Sequence, residues 1–322
     1  MKVLVIGGSG FIGSRLIELL VTAHHDVTNL DLRSSEQFNS LTTIGDVRIR
    51  ENVESAARGC EAIVNLAAEH RDDVRPIELY ETVNVYGAQV VAEVATALDV
   101  NRIVFTSSVA VYGLDKVGPT EESPTDPFNE YSRTKLAAEG ILRDWAQRSA
   151  DRSLSIVRPS VVFGEGNRGN VDTLIRAIAA RRFVMTGRGT NRKSMSYVGN
   201  VSAFLASRLE SDPGVFIFNY ADTPDLTSRQ IVDTVADALA IPLRVPFALP
   251  MRVGLFAGWI FDLISRITGR SMPISAIRVR KFCAETSVDT ARLRASGFRA
   301  PYELREALHR TIKTDFPRSP GD

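Results

Sequence analysis

Residues 7–13 read GGSGFIG and follow directly on KVLVI (2–6). The branched apolar run predicts a buried strand, and FIGSRLIELLVTA (11–23) has the apolar spacing of a helix. Gly7, Gly10 and Gly13 stand three apart at the junction. A strand that turns so tightly into a helix needs glycine, because a Cβ would block both the bend and the close approach of a ligand. The first turn of that helix, around Phe11 and Ile12, offers unpaired N–H groups and the positive end of a dipole, which suits phosphate. The next apolar run, DVTNLD (26–31), ends on Asp31, 18 residues past Gly13, where a carboxylate can accept the ribose hydroxyls of an adenosine. Strand, glycine turn, helix and acid together point to a bound dinucleotide.

Asp31 repels a 2′-phosphate and so favours NAD over NADP, while Arg33, two residues on, offsets part of that repulsion. Asp46 and Val47, ahead of a third apolar run VRIR (47–50), are candidates to hold the adenine, with Asp46 toward its amino group. A plain turn role for Asp46 is equally open.

Strands are expected at 2–6, 26–31, 47–50, 62–67, 102–106 and 154–159, with helices at 11–23, 76–98 and 131–149 between them. Val, Ile and Leu runs without alternation are what a parallel sheet covered on both faces requires. The fold class is therefore α/β, a Rossmann-type doubly wound parallel sheet over residues 1–160. Beyond 160 the pattern loosens, with helices at 170–182, 200–210, 227–240, 249–267 and 302–315 and short strands at 183–186, 194–198 and 215–219. We read 161–322 as a smaller α/β substrate lobe packed on the first.

The chain has 322 residues with 39 Lys and Arg against 38 acids, so no basic field recommends a nucleic-acid partner. Cys60 and Cys283 read as free thiols of a reducing, cytoplasmic compartment. The start, MKVLVI, lacks the apolar core and cleavage site of a signal peptide. VGLFAGWIFDLI (253–264), with Arg252 and Asp262 close about it, falls short of the roughly 20 apolar residues of a membrane span. It reads as a buried or amphipathic helix, with membrane-surface contact as the lesser reading. The four histidines are scattered, no cluster has metal-ligand spacing, and His70 reads as a surface-loop residue.

In NEYSRTK (129–135), Tyr131 and Lys135 are four apart and share one helical face. A tyrosine serves as acid or base when its pKa falls from about 10 toward neutrality. A neighbouring ammonium and a positively charged nicotinamide ring both favour the phenolate. Tyr-x-x-x-Lys alone is common; in company with the glycine turn and the hydroxyls of FTSS (105–108) it is not.

Gly7-x-x-Gly10-x-x-Gly13, NLAA (65–68), SSVAVYG (107–113), YSRTK (131–135) and RPSVVFG (158–164) resemble, in order, the motifs of the extended short-chain dehydrogenase/reductase family, in particular its nucleotide-sugar epimerases and reductases. The likeness is close over the first half and looser beyond, through GRGTNRKSMSYVGNV (187–201). It implies a Ser108–Tyr131–Lys135 set: Ser108 on the reacting oxygen, Tyr131 exchanging the proton, Lys135 on the nicotinamide ribose and lowering the tyrosine pKa. It places Leu66, Ala67 and Ala68 along the cofactor, Ser107 beside it and Pro159 near the nicotinamide. Asn84 resembles a recurrent asparagine of the family, with a core-facing amide as the alternative. The family's sugar 4,6-dehydratases carry an Asp-Glu pair where this chain has Ser108 and Val109, so dehydration is disfavoured.

For substrate, Asn167 and Asn170 in GEGNRGN (164–170), Arg192 and Lys193 in NRKSMSYVGN (191–200), and Arg278 are candidates for the phosphates. The resemblance implies NAD-dependent oxidoreduction at C4 of a UDP-sugar, foremost a 4-epimerase working through a 4-keto intermediate, in polysaccharide biosynthesis. A 4-keto-sugar reductase using NAD(P)H is the alternative, and a non-catalytic NAD-binding protein a remote one. Members of the family commonly pair as homodimers through two long helices, here 76–98 and 131–149.

Overall fold

The computed structural model describes residues 1–71, 74–114, 116–241, 250, 253, 254, 256, 259 and 282–317. Strand β1 (Lys2–Ile6) pairs in parallel with β2 (Asp26–Asp31) on one side and β4 (Ala62–Asn65) on the other. β2 continues to β3 (Thr42–Ile44), and β4 to β5 (Arg102–Thr106), β6 (Ser153–Pro159) and β9 (Gly214–Tyr220). The result is a seven-stranded parallel sheet in the order β3-β2-β1-β4-β5-β6-β9.

Both faces of this sheet are covered, which is why its strands read as unbroken apolar runs. On one face Leu4, Ile6, Ile63, Ile103 and Phe105 pack with α2 (Arg50–Ala57), α4 (Gly87–Ala97) and α5 (Glu130–Gln147). On the other, Val3, Val5, Val64 and Val104 pack with α1 (Phe11–Thr22) and α7 (Val198–Ser207).

Two expectations fail for local reasons. VRIR (47–50) is not a strand: Val47 is buried, but Ile49 is exposed and the Asp46 carboxylate accepts the Arg48 N–H at 2.9 Å, turning the chain into α2. The third strand is Thr42–Ile44 instead. Residues 183–186 form no strand of either sheet.

The second lobe is built on β7 (Val161–Phe163), β8 (Arg192–Tyr197) and β10 (Asp222–Thr227), with α6 (Asn170–Ala179), α8 (Ser228–Leu239) and the helix Leu304–Asp315 around them. The chain does not divide cleanly at 160, however. β9 and α7 come from the second half yet complete the first sheet, and Ser202 Oγ on α7 donates to the Ile12 carbonyl of α1 at 3.3 Å. The helix expected over 249–267 lies for the most part outside the described residues, as does the phosphate candidate Arg278.

Register brings the carboxyl ends of the strands to one edge: Ile6 lies beside Leu30 and Asn65, Asn65 beside Phe105, and Thr106 beside Val157. Doubly wound sheets bind their ligands at that edge.

Candidate active site

The glycine turn sits at this edge, between β1 and α1. Gly7 has φ +83°, and a Cβ there would lie 2.8 Å from the Ala67 nitrogen; one on Gly13 would lie 2.5 Å from the Gly7 oxygen. No side chain caps α1 at Gly10, and the first helical bond is Ser14 N–H to Gly10 at 3.0 Å. The N–H groups of Phe11, Ile12 and Gly13 thus precede the helical ladder, as an anion site requires. Asp31 accepts from Ser9 N–H through Oδ2 and from Arg33 N–H through Oδ1, each at 3.0 Å. Ser9 Oγ donates to the Arg33 carbonyl at 2.8 Å and accepts from Asn29 Nδ2 at 3.0 Å. The expected Gly7, Gly10, Gly13, Asp31 and Arg33 therefore stand together. Ser9 and Asn29 join them unexpectedly; Asn29, a fully buried amide inside an apolar run, was the legible signal.

Leu66 N–H donates to the Ile6 carbonyl and Ala67 N–H to Asn65 Oδ1 at 3.2 Å, setting Leu66 and Ala67 against the glycine turn, with Ala68 next in the chain. Asp46 is a different matter. Its carboxylate accepts from Arg48 N, Nε and Nη2, and that guanidinium holds its pKa below the usual carboxylate range. It acts as the turn residue, and an adenine amino group would compete with Arg48 for it. Val47 is buried behind it.

At the end of β5, Ser108 caps the short 3-10 helix Val109–Tyr112, its Oγ accepting the Ala110 N–H at 3.1 Å. Asn129 caps α5 in a reciprocal box with Ser132, which fixes the start of the helix and so places Tyr131. The Ser108 hydroxyl neighbours the Tyr131 phenol. Lys135, one turn on, is buried, with Nζ 4.3 Å from the centre of the Phe105 ring. Burial pushes its pKa down to about 7, against the pull of Glu139. Burial also holds the Tyr131 phenol above its ordinary value, with the neighbouring Ser108 hydroxyl acting the other way. The fall in the tyrosine pKa expected from Lys135 is thus not produced by the side chains alone.

Glu139 and Arg158 escaped the sequence reading. Both are fully buried; Arg158 Nε donates to Glu139 Oε1 at 2.8 Å and Nη2 to Oε2 at 2.6 Å. Ser107 Oγ donates to the same Oε1 at 2.6 Å, and Arg158 Nη1 donates to the Tyr112 hydroxyl at 2.6 Å. Burial works to lower the Arg158 pKa, and the Glu139 carboxylate outweighs it. Arg158 precedes Pro159, Ser107 precedes Ser108, and Glu139 lies one turn beyond Lys135. One ion pair therefore ties β5, α5 and β6 beside Ser108, Tyr131 and Lys135. An arginine inside the buried strand SLSIVRP was the available clue.

Asn84 lies in a π-helical turn, Glu81–Tyr86, and is buried. Its Nδ2 donates to the Glu69 carbonyl at 3.0 Å and to Thr134 Oγ1 at 2.9 Å, and its Oδ1 accepts Glu69 N–H at 2.8 Å. It stitches the loop after β4 to α5, between Tyr131 and Lys135.

The substrate candidates sit on the second lobe. Asn167 Nδ2 donates to the Val162 carbonyl at 2.8 Å, and Asn170 opens α6 behind an uncapped Gly169. Arg192 is exposed and reaches the Asp225 carbonyl at 3.3 Å. Lys193 Nζ donates to the Ala284 carbonyl at 2.6 Å, and burial pushes its pKa down to about 8. His70 is exposed. Among the described residues no His, Cys, Asp and Glu cluster could hold a metal ion, and no helix is long and apolar enough to cross a membrane.

Known proteins resemble the chain along most of its length. The model of the NAD dependent epimerase/dehydratase family matches residues 3–219. Over 324 aligned residues the chain is 45% identical to an Escherichia coli O157:H7 protein, N-acetyl-alpha-D-glucosaminyl-diphospho-ditrans,octacis-undecaprenol 4-epimerase, covering 100% of this chain and 97% of that one. It is 32% identical to the UDP-glucose 4-epimerase of Yersinia pestis, covering 79% of this chain and 87% of that one. Among solved structures it is similar to MoeE5 in complex with UDP-glucose and NAD, with TM-score 0.76, 25% identity and 98% of each chain covered.

Proposed function

Because this chain belongs to the NAD-dependent epimerase/dehydratase family and is an NAD-dependent sugar 4-epimerase, we propose that it inverts C4 of an N-acetylhexosamine joined through a diphosphate to a polyprenol. The observation that carries the carrier is the 45% identity, spread over the whole chain, to an epimerase of an undecaprenol-linked sugar. A UDP-sugar, the substrate the sequence motifs imply, is the second reading, favoured by the likeness to MoeE5 with its UDP-glucose. Both carriers present a hexose on a diphosphate, so the work at C4 is the same.

The glycine turn, the start of α1 and Asp31 fit NAD and would hold its pyrophosphate and adenosine ribose. NAD supplies, when bound, a hydride acceptor at C4 and a positive charge over the site. Ser108 would hydrogen-bond O4 and orient it toward Tyr131, which as the phenolate would take the O4 proton. Lys135 stands one turn away, ready to hold the nicotinamide ribose and to favour the phenolate electrostatically. As the phenol, Tyr131 would give the proton back to O4 once C4 is inverted. The cycle is redox-neutral, so an epimerase needs no added reductant, whereas the reductase reading consumes NADH.

The same proposal includes a homodimer through the helices 76–98 and 131–149, and a cytoplasmic setting suited to the free Cys60 and Cys283. The test is direct: purified protein is given UDP-N-acetylglucosamine in one arm and an N-acetylglucosaminyl diphosphate of a short polyprenol in the other, without NADH. Epimerisation of the polyprenyl substrate alone supports the proposal; epimerisation of the UDP-sugar alone moves it to the second reading. Turnover only with added NADH overturns the epimerase.

A further inference from the structure

Val253, Phe256 and Trp259 are helical and 48%, 64% and 61% exposed, while Gly254 between them is buried. Side chains three apart share a helix face, so an aliphatic and two aromatic groups stand together toward solvent. In the sequence the same three-and-four spacing continues through Ile260, Leu263 and Ile267.

Charge singles out this stretch as well. Residues 242–281 carry seven Lys and Arg against one acid, Asp262, a net +6 in a chain whose total is +1. The remainder of the molecule is therefore net −5. Aromatic and aliphatic groups on one helix face within a strongly basic stretch are the composition of a helix that lies in the plane of a membrane surface. Arg252, Asp262 and Arg266 interrupt the apolar run well before the roughly 20 residues of a span.

We propose that the face bearing Phe256 and Trp259 docks on an anionic lipid bilayer. The inference rests on the polyprenyl carrier proposed above. A polyprenol tail stays in the bilayer, so its sugar diphosphate is presented at the membrane surface, and the enzyme must come to it. A second copy of the chain is the poorer occupant. A symmetric interface sets the same patch against itself, and the charges that adjoin it in the sequence are almost all of one sign.

The protein carries its own reporter. Its two tryptophans are Trp145, already buried, and Trp259. Full-length protein is mixed with vesicles of phosphatidylglycerol and phosphatidylcholine, or of phosphatidylcholine alone, while emission and co-sedimentation are recorded. The expected result is a blue shift and sedimentation with the anionic vesicles, both weakened by salt. Phe256→Ser with Trp259→Ser should weaken binding by at least about tenfold, and leave turnover of a water-soluble substrate unchanged. No lipid-dependent shift, unchanged binding by the double variant, or a variant that only loses self-association would overturn the proposal. The two readings separate cleanly. Vesicle binding with turnover of UDP-sugars alone removes the carrier and keeps the surface, whereas turnover of the short polyprenyl substrate without vesicle binding does the reverse.

Discussion

Tyr131 is a phenol held above its ordinary pKa by burial, and Lys135 an amine pushed down to about 7 by the same cause. Neither is prepared for proton transfer by its own position; each depends on a neighbouring charge. Tyr131→Phe should lower turnover by about 10³-fold or more and leave NAD retention intact, as read by absorbance of the purified protein. Glu139 acts on Lys135 from one turn away, raising its pKa, while pairing Arg158. Glu139→Gln should therefore do two separable things. It leaves a buried guanidinium without its anion, which costs about 3–5 kcal/mol and appears in the urea midpoint. It also lets the Lys135 pKa fall further, so the protonated amine survives only at lower pH and the activity profile moves to the acid side. A variant that is merely unstable would lose activity at every pH without that displacement.

At the scale of the element, the strand-turn-helix unit tolerates no added carbon. Gly13→Ala puts a Cβ 2.5 Å from the Gly7 oxygen and from the Gly8 Cα, both backbone atoms that cannot swing aside. α1 must then move off the turn, at a cost of about 1–3 kcal/mol. Its first N–H groups lose their aim at the pyrophosphate, and calorimetry should show NAD affinity lower by about tenfold or more. This unit was fully legible, because steric necessity and helix periodicity are local: β1, β2 and β5 have the ends expected from their residues. What was not legible is what depends on partners distant in the chain. β10, with Asp222, Pro224 and Asp225, has no apolar signature and exists because β8 offers its edge. VRIR had the signature but lost Arg48 to the carboxylate of Asp46. In the site, Ser108, Tyr131 and Lys135 carry recognisable motifs, whereas the pairing of Glu139 with Arg158 spans 19 residues between α5 and β6. Arg158 inside SLSIVRP hints at a buried partner, but nothing along α5 names Glu139 as that partner.

For the molecule as a whole, the two sheets meet where β9 leaves the first and β10 enters the second, and Asp222 stands at that corner. Its carboxylate accepts Tyr197 N–H at 2.6 Å, Asn200 Nδ2 at 2.9 Å and the Tyr220 hydroxyl at 3.2 Å. Asn200 in turn donates to the Tyr302 carbonyl and accepts Tyr302 N–H. Strand, helix and the C-terminal segment are thus joined through one buried acid. Burial raises its pKa to about 6 despite these three donors. The folded chain then holds a proton that the unfolded chain, titrating near the ordinary 3.8, has already released. Between those two values the native state binds more protons, so this group's contribution to stability declines as pH rises through about 6 and is level above it. Asp222→Asn removes the titration while keeping an acceptor oxygen. Other carboxylates titrate in the same range, so the informative quantity is the difference between variant and wild type at each pH. Urea midpoints taken at about pH 4.5 and about pH 7 should show the variant at its greatest disadvantage in acid, gaining on the wild type as pH rises. A difference that stays constant, or widens toward neutral pH, would mean that Asp222 is ionised in the fold throughout and that its three donors, rather than burial, set its charge.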